Sequence, residues 1–383
     1  MRTDYDRTTH SGKLLPMRRH PHSLLLIALL TLATAHAQST ARVGLVTRVV
    51  HPTVSRNWRG AEHKELRCTI WYPAIDTAIE TKQFIGPPET PLFEAGTATP
   101  HADFPPSLRK LPMIVLSHGS GGSALQMAWL GTQLARAGFI AVAVDHPGNN
   151  ANEPYTAEGF LLWWERATDL TEVVDAMLAD PELNGHIDLT RIGAAGFSIG
   201  GYNVMELAGA TTDVSILYDQ CRQHPETAVC HVPEMKDMGS PDQMLQVVRK
   251  TSRESLARSA DSFRDERVRA VFAIAPFGEA FTQDSLHAIR IPVYLVAGKD
   301  DPILPPRDNA DWIRSNIRSA QETVLPGGVA HYTFLDTCTA AGKSTLGVYC
   351  ADAPGVDRDA VHAQVAATAV TFFNRALRVG KDK

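Results

Sequence analysis

Residues 191–201 read Arg191-Ile192-Gly193-Ala194-Ala195-Gly196-Phe197-Ser198-Ile199-Gly200-Gly201. From Ile192 to Phe197 the residues are uncharged and small or apolar, as in a short strand covered on both faces. A helix is expected from about 200 to 210. The five residues 196–200 therefore fit G-x-S-x-G in its required setting, between a strand and a helix. A chain that turns this sharply strains its central residue and crowds the neighbouring backbones. Glycines at 196 and 200 remove the side chains that would clash. Ser198 Oγ is then held above the C-terminal edge of a sheet, at the positive end of a helix.

Strands and helices alternate on either side of this turn. Residues 42–50 and 64–72 read as two opening strands. Pro112 to Ser117, Phe139 to Val144, Val268 to Ala275 and Ile291 to Ala297 are further apolar runs of strand length. Helical spacing is expected at about 124–137, 161–179, 306–319 and 358–377, with a short strand at about 321–325. The alternation implies βαβ units around one mostly parallel, wound sheet flanked by helices, an α/β class. Residues 74–110, rich in Pro, Thr and Ala, read as a surface excursion. Residues 211–267 are polar and lack a buried strand, and are expected to form a lid inserted after the helix that follows Ser198.

A serine hydroxyl is a poor nucleophile and needs a base. In this motif class the order along the chain is serine, acid, histidine. His331 lies in Gly327-Gly328-Val329-Ala330-His331-Tyr332, late in the chain and on a glycine-rich loop. His287 and His362 read as ordinary surface or packing histidines. The acid is expected past the strand at 291–297, in Gly298-Lys299-Asp300-Asp301-Pro302. One of the two carboxylates would orient the imidazole, and the other would face solvent or cap the turn. Glu279 is an outside candidate. Acyl transfer also needs donors for the developing oxyanion. Ser117-His118-Gly119-Ser120-Gly121 follows a buried strand, and its glycines let amides approach a substrate. The Ser120 and Ile199 amides are the expected oxyanion hole, with His118 orienting the loop. Asp145-His146-Pro147-Gly148 reads either as the rim of the pocket or as an ordinary turn.

Together these residues resemble a family. Leu66 to Pro73 with Trp71-Tyr72-Pro73, Ser117-His118-Gly119-Ser120-Gly121, Asp145-His146-Pro147-Gly148 and Gly196 to Gly201 look like the bacterial "predicted dienelactone hydrolase" group. That group is similar to the platelet-activating-factor acetylhydrolases. The likeness runs from about residue 42 to 375, poorly over 74–110 and 211–267. It implies the α/β-hydrolase fold over 40–383. The group's acid loop reads G-x-x-D, which selects Gly298 and Asp301 here and makes Ser198, Asp301 and His331 the expected catalytic residues. True dienelactone hydrolases carry a cysteine where this chain has Ser198, so hydrolysis of other carboxylic esters is implied.

Composition bounds the rest. The chain has 383 residues, 44% of them hydrophobic and 21% charged, enough to bury a large core. Met17-Arg18-Arg19-His20, the apolar run from Ser23 to Ala33 and Ala35-His36-Ala37 make the three-part pattern of a signal peptide over 1–37, with Met17 as a possible start. A secreted or periplasmic location is expected, with no stable membrane insertion. Removing this segment, with its five basic and two acidic residues, takes the formal charge from −5 to −8. That acidic balance gives no support to nucleic acid as a partner. Export places five cysteines in an oxidising compartment. Cys221 with Cys230 and Cys338 with Cys350 are the expected bridges, leaving Cys68 as a buried thiol. The chain holds no CxxC and no HExxH, so neither metal nor cofactor is implied. The expected substrate is a small or lipid-like ester. Phospholipase A2-like acetylhydrolysis or polyester cleavage would use the same residues. A non-catalytic binding protein on a hydrolase scaffold is the rival of another class, and the complete set of triad residue types weighs against it.

Overall fold

The structure, a computed structural model, describes residues 41–52, 65–106 and 108–378; the expected signal peptide lies outside them. Eleven strands are present among the described residues: β1 (Arg42–Val50), β2 (Leu66–Ala74), β3 (Thr81–Ile85), β4 (Phe93–Pro100), β5 (Leu111–Ser117), β6 (Ile140–Val144), β7 (Ile187–Phe197), β8 (Val268–Ile274), β9 (Val293–Gly298), β10 (Ala320–Leu325) and β11 (Thr337–Cys338). They form one sheet in the order β10-β9-β8-β7-β5-β6-β2-β1-β4-β11, with β3 paired to β4. The strands from β5 to β10 run parallel to one another. β2 is antiparallel to both β6 and β1.

The apolar runs account for this architecture. Strands such as Ile140–Val144 are buried at every residue, because helices cover both faces of the sheet. One core layer packs the helix Glu165–Ala179 and the helix Ile199–Ala208, through Leu170, Val173 and Val204. The other packs the helices Ala128–Arg136 and Arg358–Ala376, through Leu130, Leu134 and Phe373. From β5 the chain passes to β6 on one side, and β7 then pairs with β5 on the other. Strand order reverses there, so the connections leaving β5 and β7 diverge and open a crevice at their carboxyl ends.

The expected excursion at 74–110 is corrected. It contributes β3 and β4, and β4 extends the sheet beside β1. The strand β4 is built of Ala, Gly and Thr with only Phe93, Ala95 and Ala98 buried, so it lacks the apolar run that betrays a strand. Residues 211–267 contain helices Val214–Gln223, Pro241–Thr251 and Arg253–Ala257. Leu217, Met244 and Val248 bury their side chains in the core. Ser255 and Arg258 bond Glu165, which is itself fully buried. Cys221 bridges Cys230, Cys338 bridges Cys350, and Cys68 is a buried thiol. No helix among the described residues is long and apolar enough to cross a membrane.

Candidate active site

Ser198 sits between β7 and the helix Ile199–Ala208 with φ 58° and ψ −122°. A side chain with a Cβ rarely adopts this region, and here the surroundings impose it. The Ser198 amide donates to Ile274 O at 2.9 Å, and its carbonyl accepts from Phe277 N at 3.3 Å. A Cβ added at Gly196 would stand 2.2 Å from Gly200 O, and one at Gly200 would stand 2.1 Å from Ser117 O. Only glycine fits either position, which is the physical content of the motif.

The structure brings three of the sequence candidates together. His331 Nε2 lies 2.9 Å from Ser198 Oγ, and His331 Nδ1 lies 2.7 Å from Asp301 Oδ2. The other oxygen of Asp301 accepts from the Ile303 and Leu304 amides, each at 2.9 Å. This assigns the imidazole protons. Nδ1–H donates to the carboxylate, and Nε2 accepts from the hydroxyl. Asp300 is exposed, and its carboxylate accepts from Gly328 N at 3.0 Å, tying the acid loop to the loop that carries His331. His287 is at the surface. His362 is buried against Trp129, and burial pushes its imidazole down to about 4. Glu279 stays outside, facing Gln220.

The loop after β5 passes close to Ser198. A Cβ added at Gly119 would lie 3.5 Å from Ser198 Cβ. Among the described residues, neither the Ser120 nor the Ile199 amide donates a hydrogen bond within the chain. Both are therefore available to a ligand oxygen.

A second Ser-His-Asp chain stands behind this loop. Ser117 Oγ lies 2.9 Å from His146 Nε2, and His146 Nδ1 lies 2.9 Å from Asp169 Oδ2. Ser117, His146 and Asp169 have no exposed surface, whereas Ser198 keeps 9% of its own. No substrate can reach Ser117, so this chain is a brace. Arg166, on the helix that carries Asp169, donates to His118 O. The His118 ring donates from Nδ1 to Gly119 O at 2.6 Å and accepts the His146 amide at Nε2 at 3.3 Å. Burial and Arg166 hold His118 well below the usual imidazole range, so it stays neutral in that role. The Asp145–Gly148 turn is thus interior. Asp145 caps Ala124 N rather than lining a pocket rim.

Sequence reasoning missed a further group. Tyr332 Oη donates to Glu234 at 3.1 Å, and Tyr155 Oη donates to Gly121 O at 3.1 Å. Glu234 belongs to the 211–267 segment, so this contact brings that segment beside His331. Burial pushes the Glu234 carboxyl up. Only the placement of Tyr332 beside His331 could have signalled it. Among the described residues no group of three His, Cys, Asp or Glu is arranged to hold a metal ion.

A family model described as the alpha/beta hydrolase family matches residues 114–341. Cutinase est1 and Cutinase est2 of Thermobifida alba are each 30% identical to the chain over 103 residues, 26% of this chain and 31% of theirs. Lipase 1 of Moraxella sp. is 29% identical over 99 residues, 26% of this chain and 28% of its own. The matched region thus spans about a third of these curated relatives, 31% at most among the three. Across the whole fold the chain is similar to a solved ferulic acid esterase from Streptomyces cinnamoneus. The TM-score is 0.57 at 21% identity, covering 90% of this chain and 92% of that one.

Proposed function

Because the chain belongs to the alpha/beta hydrolase family, we propose that it hydrolyses carboxylic esters through an acyl-enzyme on Ser198. The observation that carries this reading is the hydrogen-bonded chain from Ser198 Oγ through His331 to Asp301, at a strained strand-to-helix turn. Ser198 Oγ attacks the ester carbonyl carbon as His331 Nε2 takes its proton. The carbonyl oxygen becomes an oxyanion held by the Ser120 and Ile199 amides. His331 then returns the proton to the alcohol oxygen as the C–O bond breaks. Water attacks the acyl-enzyme, His331 takes its proton, and Ser198 is released with the carboxylic acid. Asp301 fixes the tautomer and stabilises the imidazolium. No cofactor enters this scheme.

The proposal extends to membership of the dienelactone hydrolase and acetylhydrolase group, which the motifs quoted above support. Polyester cleavage is the second reading, favoured by the cutinases among the similar proteins. Residues 211–267 would serve as the lid, since Glu234 reaches Tyr332 beside His331. Export to the periplasm or outside the cell is supported by the two disulfides and by the signal pattern over 1–37.

The test is a mutant cycle on p-nitrophenyl acetate hydrolysis. Ser198→Ala and His331→Ala should each lower kcat by about 10⁵–10⁶, and combining them should cost little more. Near-additive losses would overturn the assignment.

A further inference from the structure

We propose that the open pocket bordered by Tyr155, Ala157 and the 211–267 segment holds the distal end of the substrate, and that its acidic wall admits uncharged or cationic ends and rejects carboxylates. This rests on Ser198 being the nucleophile.

The cavity measures about 410 Å³, within the range of small-molecule pockets. Met238, Met244 and Val247 give it an apolar side, and thioether chains adapt to varied aliphatic shapes. Glu234, Asp237, Gln243 and the Tyr155 hydroxyl give it a polar side. No basic side chain lines it. Two of these residues also touch the loops that flank Ser198. Tyr155 Oη donates to Gly121 O, next to the Ser120 amide, and Glu234 accepts from Tyr332, next to His331. A Cβ added at Gly121 would meet Tyr155 Oη at 2.7 Å and Glu234 Cγ at 3.3 Å. These contacts are the ground for placing the distal end of an ester attacked by Ser198 in this pocket. An aliphatic chain entering it lies against methionine. A hydroxyl or ammonium at the far end finds the Asp237 carboxylate as an acceptor, whereas a carboxylate end meets its like charge with no basic lining residue to offset it.

Three methyl esters of equal length separate these outcomes: methyl hexanoate, methyl 6-hydroxyhexanoate and monomethyl adipate. Hydrolysis is followed by pH-stat. In the wild type, kcat/KM for the hydroxyl ester should match or exceed that for hexanoate, and monomethyl adipate should fall at least about tenfold below it. The readout in each variant is the ratio of adipate to hexanoate, which cancels changes in the chemical step common to both. Asp237→Asn, at an exposed position, and Asp237→Asn with Glu234→Gln should raise that ratio, the pair by about tenfold. A wild type that cleaves monomethyl adipate as well as hexanoate would overturn the charge selection, as would a ratio unmoved in both variants. In those cases Ser198-dependent cleavage would still leave the esterase reading standing. No Ser198-dependent cleavage of any of the three would overturn both.

Discussion

Asp301→Asn tests the acid through its hydrogen bonds. Oδ1 of Asp301 accepts two backbone amides at 2.9 Å, from Ile303 and Leu304, while Oδ2 faces His331 Nδ1 at 2.7 Å. Asparagine has one acceptor oxygen and one NH2 group. If its oxygen keeps the two amides, its NH2 faces Nδ1, which must then accept. The imidazole proton moves to Nε2, the atom that has to take the proton from Ser198. If the side chain flips, the base is restored, but two N–H groups, that of Leu304 buried and that of Ile303 partly so, face an NH2. At about 1–3 kcal/mol for each unsatisfied donor, the flip costs about 2–6 kcal/mol. The geometry therefore selects the inactive tautomer, and kcat should fall by about 10⁴. Folding should change little, because the shape and the two backbone bonds are kept. Asp300→Asn is the control. It is exposed and retains an oxygen for Gly328 N, so kcat should change less than about threefold. Steady-state hydrolysis of p-nitrophenyl acetate, with circular dichroism for fold, reads both. An Asp301→Asn enzyme above a tenth of wild-type kcat, or an Asp300→Asn enzyme equally impaired, would show that Asp301 is not the acid that orients His331.

Asp169→Asn should loosen the buried brace behind the oxyanion loop and lower kcat by about 10- to 100-fold with little change in KM; a rise in KM alone would show that the brace shapes binding instead. The Cys338–Cys350 bridge, with 12 residues of separation, is worth about 3 kcal/mol by loop entropy. Cys338→Ser with Cys350→Ser should lower the urea midpoint, and peptide mapping should show Cys68 alkylated only after unfolding; a Cys68 labelled in the native protein would contradict its burial. Burial pushes the Glu206 carboxyl up to about 8, from an ordinary 4.5. A raised acid contributes its stability below 4.5 and loses it as pH climbs through about 8. Raising the pH from 5 to 9 should therefore destabilise the wild type relative to Glu206→Gln, on the order of a few kcal/mol. Equal differences in urea midpoint at both pH values would refute this.

The parallel half of the fold was legible because its strands are buried on both faces and spell apolar runs, as in Met113–Leu116 and Ile140–Val144. The Ala- and Thr-rich β4 was not, since small residues carry no alternating signal. In the site, Ser198 could be read because two glycines mark a local steric demand. Chain order and a glycine loop pointed to His331 and to the Asp300-Asp301 pair, and only the resemblance, through its G-x-x-D pattern, selected Asp301. The Ser117–His146–Asp169 brace was invisible for the opposite reason. Its members are 29 and 23 residues apart, and each looks ordinary alone. The helix at 165–179 showed its apolar face, but Arg166 and Asp169 sit on it as buried polar residues whose partners only the tertiary structure supplies. Glu234 lies in a polar segment whose contact with Tyr332 no periodicity reveals.

Incubation with a fluorophosphonate, followed by intact mass and peptide mapping, asks whether Ser198 is a live nucleophile activated by His331. One phosphonyl adduct per chain is expected, carried by the peptide containing Ser198. The adduct should be lost in Ser198→Ala and formed far more slowly in His331→Ala. An unlabelled wild-type protein, or an adduct that persists in Ser198→Ala, would contradict that role for Ser198.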